Sequence, residues 1–422
     1  MRIVIAPDKF KGSLSATRVA AAIAAGLRAE WPAAELISIP VADGGDGTVD
    51  AAVAAGFERM PVTVAGPTGE PVHTSYGRRG ETAVVELACA CGLMLLPGGR
   101  REPLTASSFG AGQVLAAALE AGTRRVIFGV GGSASTDGGA GLLQALGARV
   151  LNSRGKPLGP GLGGGALRDA ASLDLSGLHP ALQACSVILA TDVTNPLTGP
   201  DGAAQVYGPQ KGASPAQVIE LASGLRHWAA VVAAATGTDR SQDPGAGAAG
   251  GVGFAALAVL GAEPHPGIGL VLDLVGFEEA LADAALVITG EGSLDEQSLS
   301  GKAPVGVAQA AGRRGIPVVA VVGRSTLTGA QLAAAGIGAV YPLSDLESDP
   351  ARCNSEASTL LERVGRTIAR DLTGGTPWSQ GREGSARGWP GRTPGRGAGR
   401  REGQDVRPSG YGDCRVITGT EA

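Results

Sequence analysis

The chain begins on a buried-strand pattern, "RIVIAP", and then changes period: in "SATRVAAAIAAGLRAEW" the residues Val19, Ile23 and Leu27 recur every fourth position. That spacing predicts a helix with one apolar stripe, for which Ser15 is a suitable N-cap. "ELISIPV" reads as the next strand and "GTVDAAVAAG" as the next helix. The same grammar returns late, in "AALVITGEG", "PVVAVVG" and "GAVYPL", with helical sequence between them. Strands alternating with helices predict βαβ units and a parallel sheet covered on both faces. The middle differs: "MPVTVAGPTGEPVHTSYGRRGETAVVELA" alternates and turns like antiparallel strands before leading into "RRVIFGVGG" and "SVILATDV".

The expected fold is therefore α/β. A doubly wound, mostly parallel, Rossmann-like sheet domain is built from residues 1–56 and 285–372, and a second α/β domain, residues 57–284, is inserted into it. A contiguous two-domain split is the alternative. From about residue 373 the chain turns rich in Gly and Arg and loses all periodicity, which predicts a disordered tail over 373–422.

Composition narrows the function. The 422 residues are 44% hydrophobic but only 3% aromatic, so the core is built from Ala, Val, Leu and Ile. A net charge of −4 offers neither a basic surface for nucleic acid nor a polybasic membrane patch, leaving small molecules as the expected partners. The apolar run at the amino terminus is too short for a signal-peptide core, and no uninterrupted apolar stretch reads as a membrane span, so a cytoplasmic protein is expected. Five scattered cysteines do not make a disulfide framework.

Familiar phosphate motifs are missing. In "SLSGKAP" Glu296 stands where a P-loop needs its first glycine and Ala303 where it needs a hydroxyl. "GAGAAGGVGF", from Gly245, fits GxGxxG, but "DRSQDP" precedes it in place of a strand, so a tight helix entry is the better reading. Recurring instead is an apolar strand, then a glycine-rich loop with an ionisable residue, then a helix. "IVIAPDKFKGSLS" carries Asp8, Lys9 and Lys11; "ISIPVADGGDGT" carries Asp43 and Asp46; "VIFGVGGSASTDGGAG" carries Ser133, Ser135, Thr136 and Asp137. "VILATDVTNPLTG" carries Asp192 and Asn195, and "ALVITGEGSLDEQSLSGK" carries Glu291, Asp295 and Lys302. Any one of these could be turn or cap chemistry. Together they place lysines and helix amino ends, which attract phosphate, beside carboxylates that can hold Mg²⁺ or take a hydroxyl proton, the parts that phosphoryl transfer requires.

These residues also carry a resemblance. "IVIAPDKFKGSLSA", "IPVADGGDGT", "GVGGSASTDGGAG", "TDVTNPLTGPDGAAQVYGPQKGA", "PGAGAAGGVG" and "ITGEGSLDEQSLSGKAPVGVA" together resemble the bacterial glycerate kinase family of the two-domain, non-P-loop type, from Met1 to about Leu372. The resemblance implies an active site in the cleft between two α/β domains and ATP-dependent, Mg²⁺-supported phosphorylation of D-glycerate, at the 2-hydroxyl in preference to the 3-hydroxyl, in organic-acid breakdown. Chemistry applied to the matched positions gives Asp192, Lys9 and Lys11 catalytic roles. It gives Asp43, Asp46, Ser133, Asp137 and Asn195 to the substrate, Gly131, Gly132, Lys211, Gly247, Gly290 and Lys302 to ATP, and Glu291 and Asp295 to the metal. The chain departs from the family pattern at Asp46, Thr136, Ser293 and Ser300, where Glu, Asn, Arg and His are more usual. A kinase acting on another small hydroxy acid or polyol is the alternative; a catalytically inert metabolite-binding protein or an NAD-dependent dehydrogenase fits the charged cluster less well. A monomer or a homodimer is expected.

Overall fold

The structure, a computed structural model, describes residues 1–373; the Gly/Arg-rich tail expected to be disordered lies outside the described residues beyond that point. Thirteen strands are defined among the described residues: β1 (Arg2–Pro7), β2 (Glu35–Ser38), β3 (Glu58–Ala65), β4 (Pro71–Arg79), β5 (Thr82–Glu86), β6 (Arg125–Gly129), β7 (Arg149–Leu151), β8 (Ser172–Asp174), β9 (Ser186–Ala190), β10 (Glu263–His265), β11 (Ala284–Leu294), β12 (Val318–Ser325) and β13 (Ala339–Pro342). They form a five-stranded sheet in the order β13-β12-β11-β1-β2, a six-stranded sheet in the order β10-β9-β6-β5-β4-β3, and the small pair β7-β8.

All pairings in the five-stranded sheet are parallel. The strand alternation along β1 divides its side chains between two cores. Ile3 and Ile5 pack with Val19, Ile23 and Leu27 of the helix Ala16–Glu30, while Val4 and Ala6 join Val305, Val307 and Ala308 on the opposite face. Ser15 caps the first helix as its position predicts, its side chain accepting from Arg18 N. That helix lies against the helix Ala357–Thr373 so closely that a Cβ on Gly26 would sit 2.0 Å from the Glu362 carbonyl oxygen. Chain order reverses between β1 and β11: from β1 the chain moves outward to β2, from β11 outward to β12 and β13. Such a reversal opens a crevice at the carboxyl ends of the two central strands.

In the six-stranded sheet β3, β4 and β5 are antiparallel, as the middle segment predicts, and β5, β6, β9 and β10 are parallel. Both sheets belong to one compact unit. The helix Thr48–Ala54 turns Ala51 to the core of the first sheet and Val49 and Ala52 to Val84, Ile127 and Ala190 of the second. Helix Gly267–Leu274 divides its apolar residues in the same way. By length and composition the 22-residue helix Pro215–Thr236 could cross a membrane, but its stripe Leu221, Leu225, Trp228 and Val232 is fully buried against the rest of the protein. The GxGxxG segment is no dinucleotide fingerprint: Ala249, Gly250 and Gly251 all adopt left-handed φ, and the turn packs on the backbone of Ser135–Gly138.

Candidate active site

The "VADGGDGT" loop is where the two sheets meet. It leaves the extension of β2 and runs across the carboxyl ends of β6 and β9, at distances that exclude side chains. A Cβ on Gly129 would lie 2.3 Å from the Gly44 carbonyl oxygen, and one on Gly267 2.1 Å from that of Asp43. Gly47, at φ 96°, then turns the chain into the helix Thr48–Ala54. Glu86 at the end of β5 holds this turn from beneath: its carboxylate is 1% exposed and accepts from the backbone N–H groups of Gly47 (3.1 Å) and Val49 (3.2 Å). Burial raises the Glu86 carboxyl to about 7 despite these bonds.

Above the seam lies a cavity of about 600 Å³, within the range of small-molecule and cofactor sites. Its floor is the carboxyl edge of the five-stranded sheet, and Gly131 and Gly132, which follow β6, close one side. Asp8, directly after β1, and Glu291, on β11, stand there at the two central strands, where the chain order reverses. Asp8 is 7% exposed; burial raises its carboxyl to about 7, with Lys9 opposing and Asp43 and Glu291 adding to the rise. Glu291 is likewise raised, first by burial, and its Oε1 is buried without a hydrogen-bond partner.

Lys9 reaches over Asp8 and donates to the Asp46 carbonyl oxygen, with the Asp46 carboxylate at 3.9 Å. Burial alone would lower the Lys9 pKa, but Asp8, Asp43, Asp46 and Glu86 together outweigh it and raise the value. The ammonium is thus held charged. Lys11 is exposed at the rim, and Lys302 lies between Glu291 (3.9 Å) and Asp295 (3.7 Å). Arg324 on β12 is a further cation. The register sets it opposite Ser293, and its Nε donates to Ser293 Oγ at 3.2 Å. A guanidinium therefore stands beside Ser293 in the cavity wall.

Asp192 stands just outside the cavity lining, close enough to Asp43 to feel its charge and to Gly301 for a Cβ there to lie 3.7 Å away. Its Oδ1 accepts from Gly267 N at 3.0 Å. Although the residue as a whole is exposed, the protein around its carboxyl desolvates it, which with the charge of Asp43 raises the carboxyl to about 7.

Several expected residues are placed elsewhere. Asp137 is fully buried and accepts from Ser108 N (2.8 Å), Ser108 Oγ (2.7 Å), Gly139 N (3.1 Å) and Gly141 N (3.3 Å), the position of a loop anchor with no face to the cavity. Asn195 bridges the Tyr207 hydroxyl and the Asp201 carbonyl. Gly290 lies inside the sheet, where a Cβ would strike the Val321 oxygen at 2.0 Å, and it is Gly292 that meets the cavity. Asp295 accepts from Gln297 N (3.0 Å) and Ser298 N (3.3 Å), capping its own turn. Lys211 and Ser133 bond to each other (2.8 Å) in the wall of an adjoining cavity of about 120 Å³, too small by itself for a nucleotide. Burial lowers the Lys211 ammonium to about 7. Gly247 packs on the Asn195 and Pro196 carbonyls, whereas Gly131 and Gly132 line both cavities. Asp8 carries no role in the sequence expectations, and Glu86 and Arg324 are absent from them, although Asp8 follows β1 directly, Glu86 ends β5 and Arg324 stands one residue before the end of β12.

A family model described as the glycerate kinase family matches residues 3–373. The glycerate 2-kinase of Escherichia coli (strain K12) is 48% identical over 81% of this chain and 90% of that protein. The glycerate kinase of Bacillus subtilis (strain 168) is 44% identical over 88% of this chain and 98% of that protein. A crystal structure of a protein assigned as glycerate kinase 2 from Salmonella typhimurium LT2 is 43% identical and superposes with a TM-score of 0.76, covering 89% of this chain and 99% of that one. Lysines and carboxylates at the strand-order reversal of a parallel sheet, and relatives of nearly full length, agree: this chain is a kinase of the glycerate kinase family.

Proposed function

We propose that the enzyme transfers the γ-phosphoryl group of ATP to the 2-hydroxyl of D-glycerate, giving 2-phosphoglycerate and ADP. The observation that carries this reading is the single cavity in which Lys9, Lys11, Lys302 and Arg324 face Asp8, Asp43, Asp46 and Glu291 at the switch point between β1 and β11. Cations there can neutralise a carboxylate substrate and a phosphoryl group in transfer, and the carboxylates can serve a hydroxyl or a metal. Residues 1–56 with 285–372, and residues 57–284, act in this reading as two lobes on either side of the glycine seam. The resemblance to the Escherichia coli glycerate 2-kinase supports the 2-position.

Asp192 is the base in this scheme. Its Oδ1 is oriented by Gly267 N, and among the described residues no donor bonds the other oxygen. As the 2-hydroxyl oxygen attacks the γ-phosphorus, its proton passes to Asp192, the bond to the ADP oxygen breaks, and the electron pair leaves with ADP. Lys9 and Lys11 hold the glycerate carboxylate and the phosphoryl oxygens, while Asp43 and Asp46 accept from the glycerate hydroxyls.

The residues present fit a divalent cation in a particular way. Among the described residues no three acidic, His or Cys side chains converge on one point, so a cage made only of protein is absent from that set. Mg²⁺ is commonly held by one or two carboxylates together with substrate phosphates. The unpartnered Glu291 Oε1 beside Asp8 suits that mode. Bound there, Mg²⁺ would neutralise phosphate charge; Asp295, engaged as a cap, would contribute through its hold on Lys302. Incubation with D-glycerate and Mg-ATP, followed by ³¹P and ¹H NMR, tests the proposal. Formation of 3-phosphoglycerate, or no ATP-dependent product, overturns it.

A further inference from the structure

The large cavity has a direction. Its floor follows the strand order, so lining residues come in sequence from the carboxyl ends of β13 (Leu343, Ser344), β12 (Gly323, Arg324), β11 (Glu291–Ser293), β1 (Asp8–Lys11) and the β2 extension (Asp43, Gly45, Asp46). Neighbouring strands lie about 4.8 Å apart, so four intervals make a trough about 19 Å long, room for an extended nucleoside triphosphate lying end to end with a small acid.

Charge along the trough is uneven. The four lining cations, Lys9, Lys11, Lys302 and Arg324, all stand between β12 and β2. At the β13 end the wall is Leu343, Ser344, Cys353 and Asn354, and the one carboxylate there, Glu347, is paired with Arg352 at 3.0 Å. Between the two ends the floor has almost no side chains: a Cβ on Gly323 would lie 2.4 Å from the Gly292 oxygen, so these two backbones pack directly and leave the surface above them open. A polyphosphate can cross such a floor toward Lys302 and Arg324, whereas a partly apolar wall whose one carboxylate is already paired suits a base and ribose and offers a three-carbon acid anion no lining cation.

We propose that the β13 end of the trough, formed by Leu343–Ala357, is the nucleoside subsite for ATP, which directs the phosphates toward β1 and leaves the β2 end to the acid. This assignment rests on the ATP-dependent reading above. It puts the base against Cys353 and Asn354 and a ribose hydroxyl within the reach of Glu347. It also moves the nucleotide away from Lys211, whose cavity is too small for it, and from Gly247, which packs on the Asn195 and Pro196 carbonyls.

The full-length wild-type protein gives the first test, because Cys353 is a free, partly exposed thiol in the wall. It is alkylated with N-ethylmaleimide, and the Cys353 peptide is followed by mass spectrometry. Mg-ADP is expected to slow alkylation about fivefold or more, and D-glycerate alone to leave the rate unchanged. The second test is Asn354→Trp, at an exposed side chain: KM for ATP rises about tenfold or more, while KM for glycerate stays within about twofold. Protection of Cys353 by glycerate and not by Mg-ADP, or an Asn354→Trp effect confined to glycerate, overturns the subsite. If ATP supports turnover but neither test responds, the subsite fails and the proposed function stands. If the wild type makes no phosphoglycerate from ATP, both fail.

Discussion

Replacing Asp192 by Asn separates a base from a merely structural acid. In the folded protein burial and the Asp43 charge raise the Asp192 carboxyl to about 7, with Gly267 N opposing. A base must be deprotonated to act, so the competent fraction is about 0.1 at pH 6 and about 0.9 at pH 8. In the wild type kcat/KM for glycerate should rise about tenfold across that interval. Asp192→Asn keeps the size and the acceptor toward Gly267 N but cannot take a proton. General base catalysis contributes about 10²- to 10⁴-fold, a barrier increase of about 3–5 kcal/mol, so kcat should fall by that factor and the acid limb of the profile should disappear. The assay is coupled ADP release over pH 5.5–9 at saturating ATP. Asp8 serves as the internal control, because its carboxyl is also raised to about 7 while its Oδ1 is engaged by Lys9 N at 2.6 Å and Lys9 Nζ at 3.5 Å. If Asp192→Asn retains turnover within about tenfold of wild type, or keeps the acid limb that Asp8→Asn then loses, Asp192 is not the base and the role passes to Asp8.

Lys9→Met removes the ammonium between Asp8 and Asp46 and should lower kcat/KM about 10²- to 10³-fold with a far-ultraviolet spectrum like that of the wild type; a loss under about threefold in steady-state assays would refute an electrostatic role. Glu291→Gln should raise the Mg²⁺ concentration needed for half-maximal rate about tenfold or more, read by titrating Mg²⁺ at fixed ATP, and an unchanged requirement would remove Glu291 from the metal site. Gly267→Ala places a Cβ 2.1 Å from the Asp43 oxygen and should cost about 1–3 kcal/mol in urea unfolding while also raising KM for glycerate. Glu86 is raised to about 7 by burial, so the folded state binds its proton more tightly than the unfolded chain does. Its contribution to stability is therefore greatest below the unfolded pKa of about 4 and is lost as pH rises to about 7; Glu86→Gln should flatten the fall in Tm over that window, and an unaltered slope would refute the assignment.

Period and punctuation made most of the secondary structure legible. The four-residue recurrence of Val19, Ile23 and Leu27, the Ser15 cap and the apolar runs at β1, β11 and β12 are local signals, and each appears where its local physics places it. The antiparallel β3–β5 segment was legible because alternation and turn residues occur together there. The three-residue strands β7, β8 and β10 were not, since so short a run has no period and depends wholly on its partners.

For the site, the sequence by itself determined which side chains end strands: Lys9, Asp43, Asp46, Asp192 and Glu291 all occupy loops or strand ends at the junction of the two sheets. It could not tell an anchor from a ligand-facing group. Asp137 and Asp43 are both acids beside glycines, yet one is enclosed by five backbone and hydroxyl donors and the other lines the cavity. Nor could it show that Arg324 stands beside Ser293 or that Glu86 braces the turn at Gly47, because pairings between residues 31 or 39 positions apart in the chain exist only once strand order and register are set. The glycines of "VADGGDGT" show the same division. Their composition foretold a turn, but only the approach of a second sheet to within van der Waals contact explains why no side chain fits there, and packing between distant backbones leaves no periodic trace in the sequence.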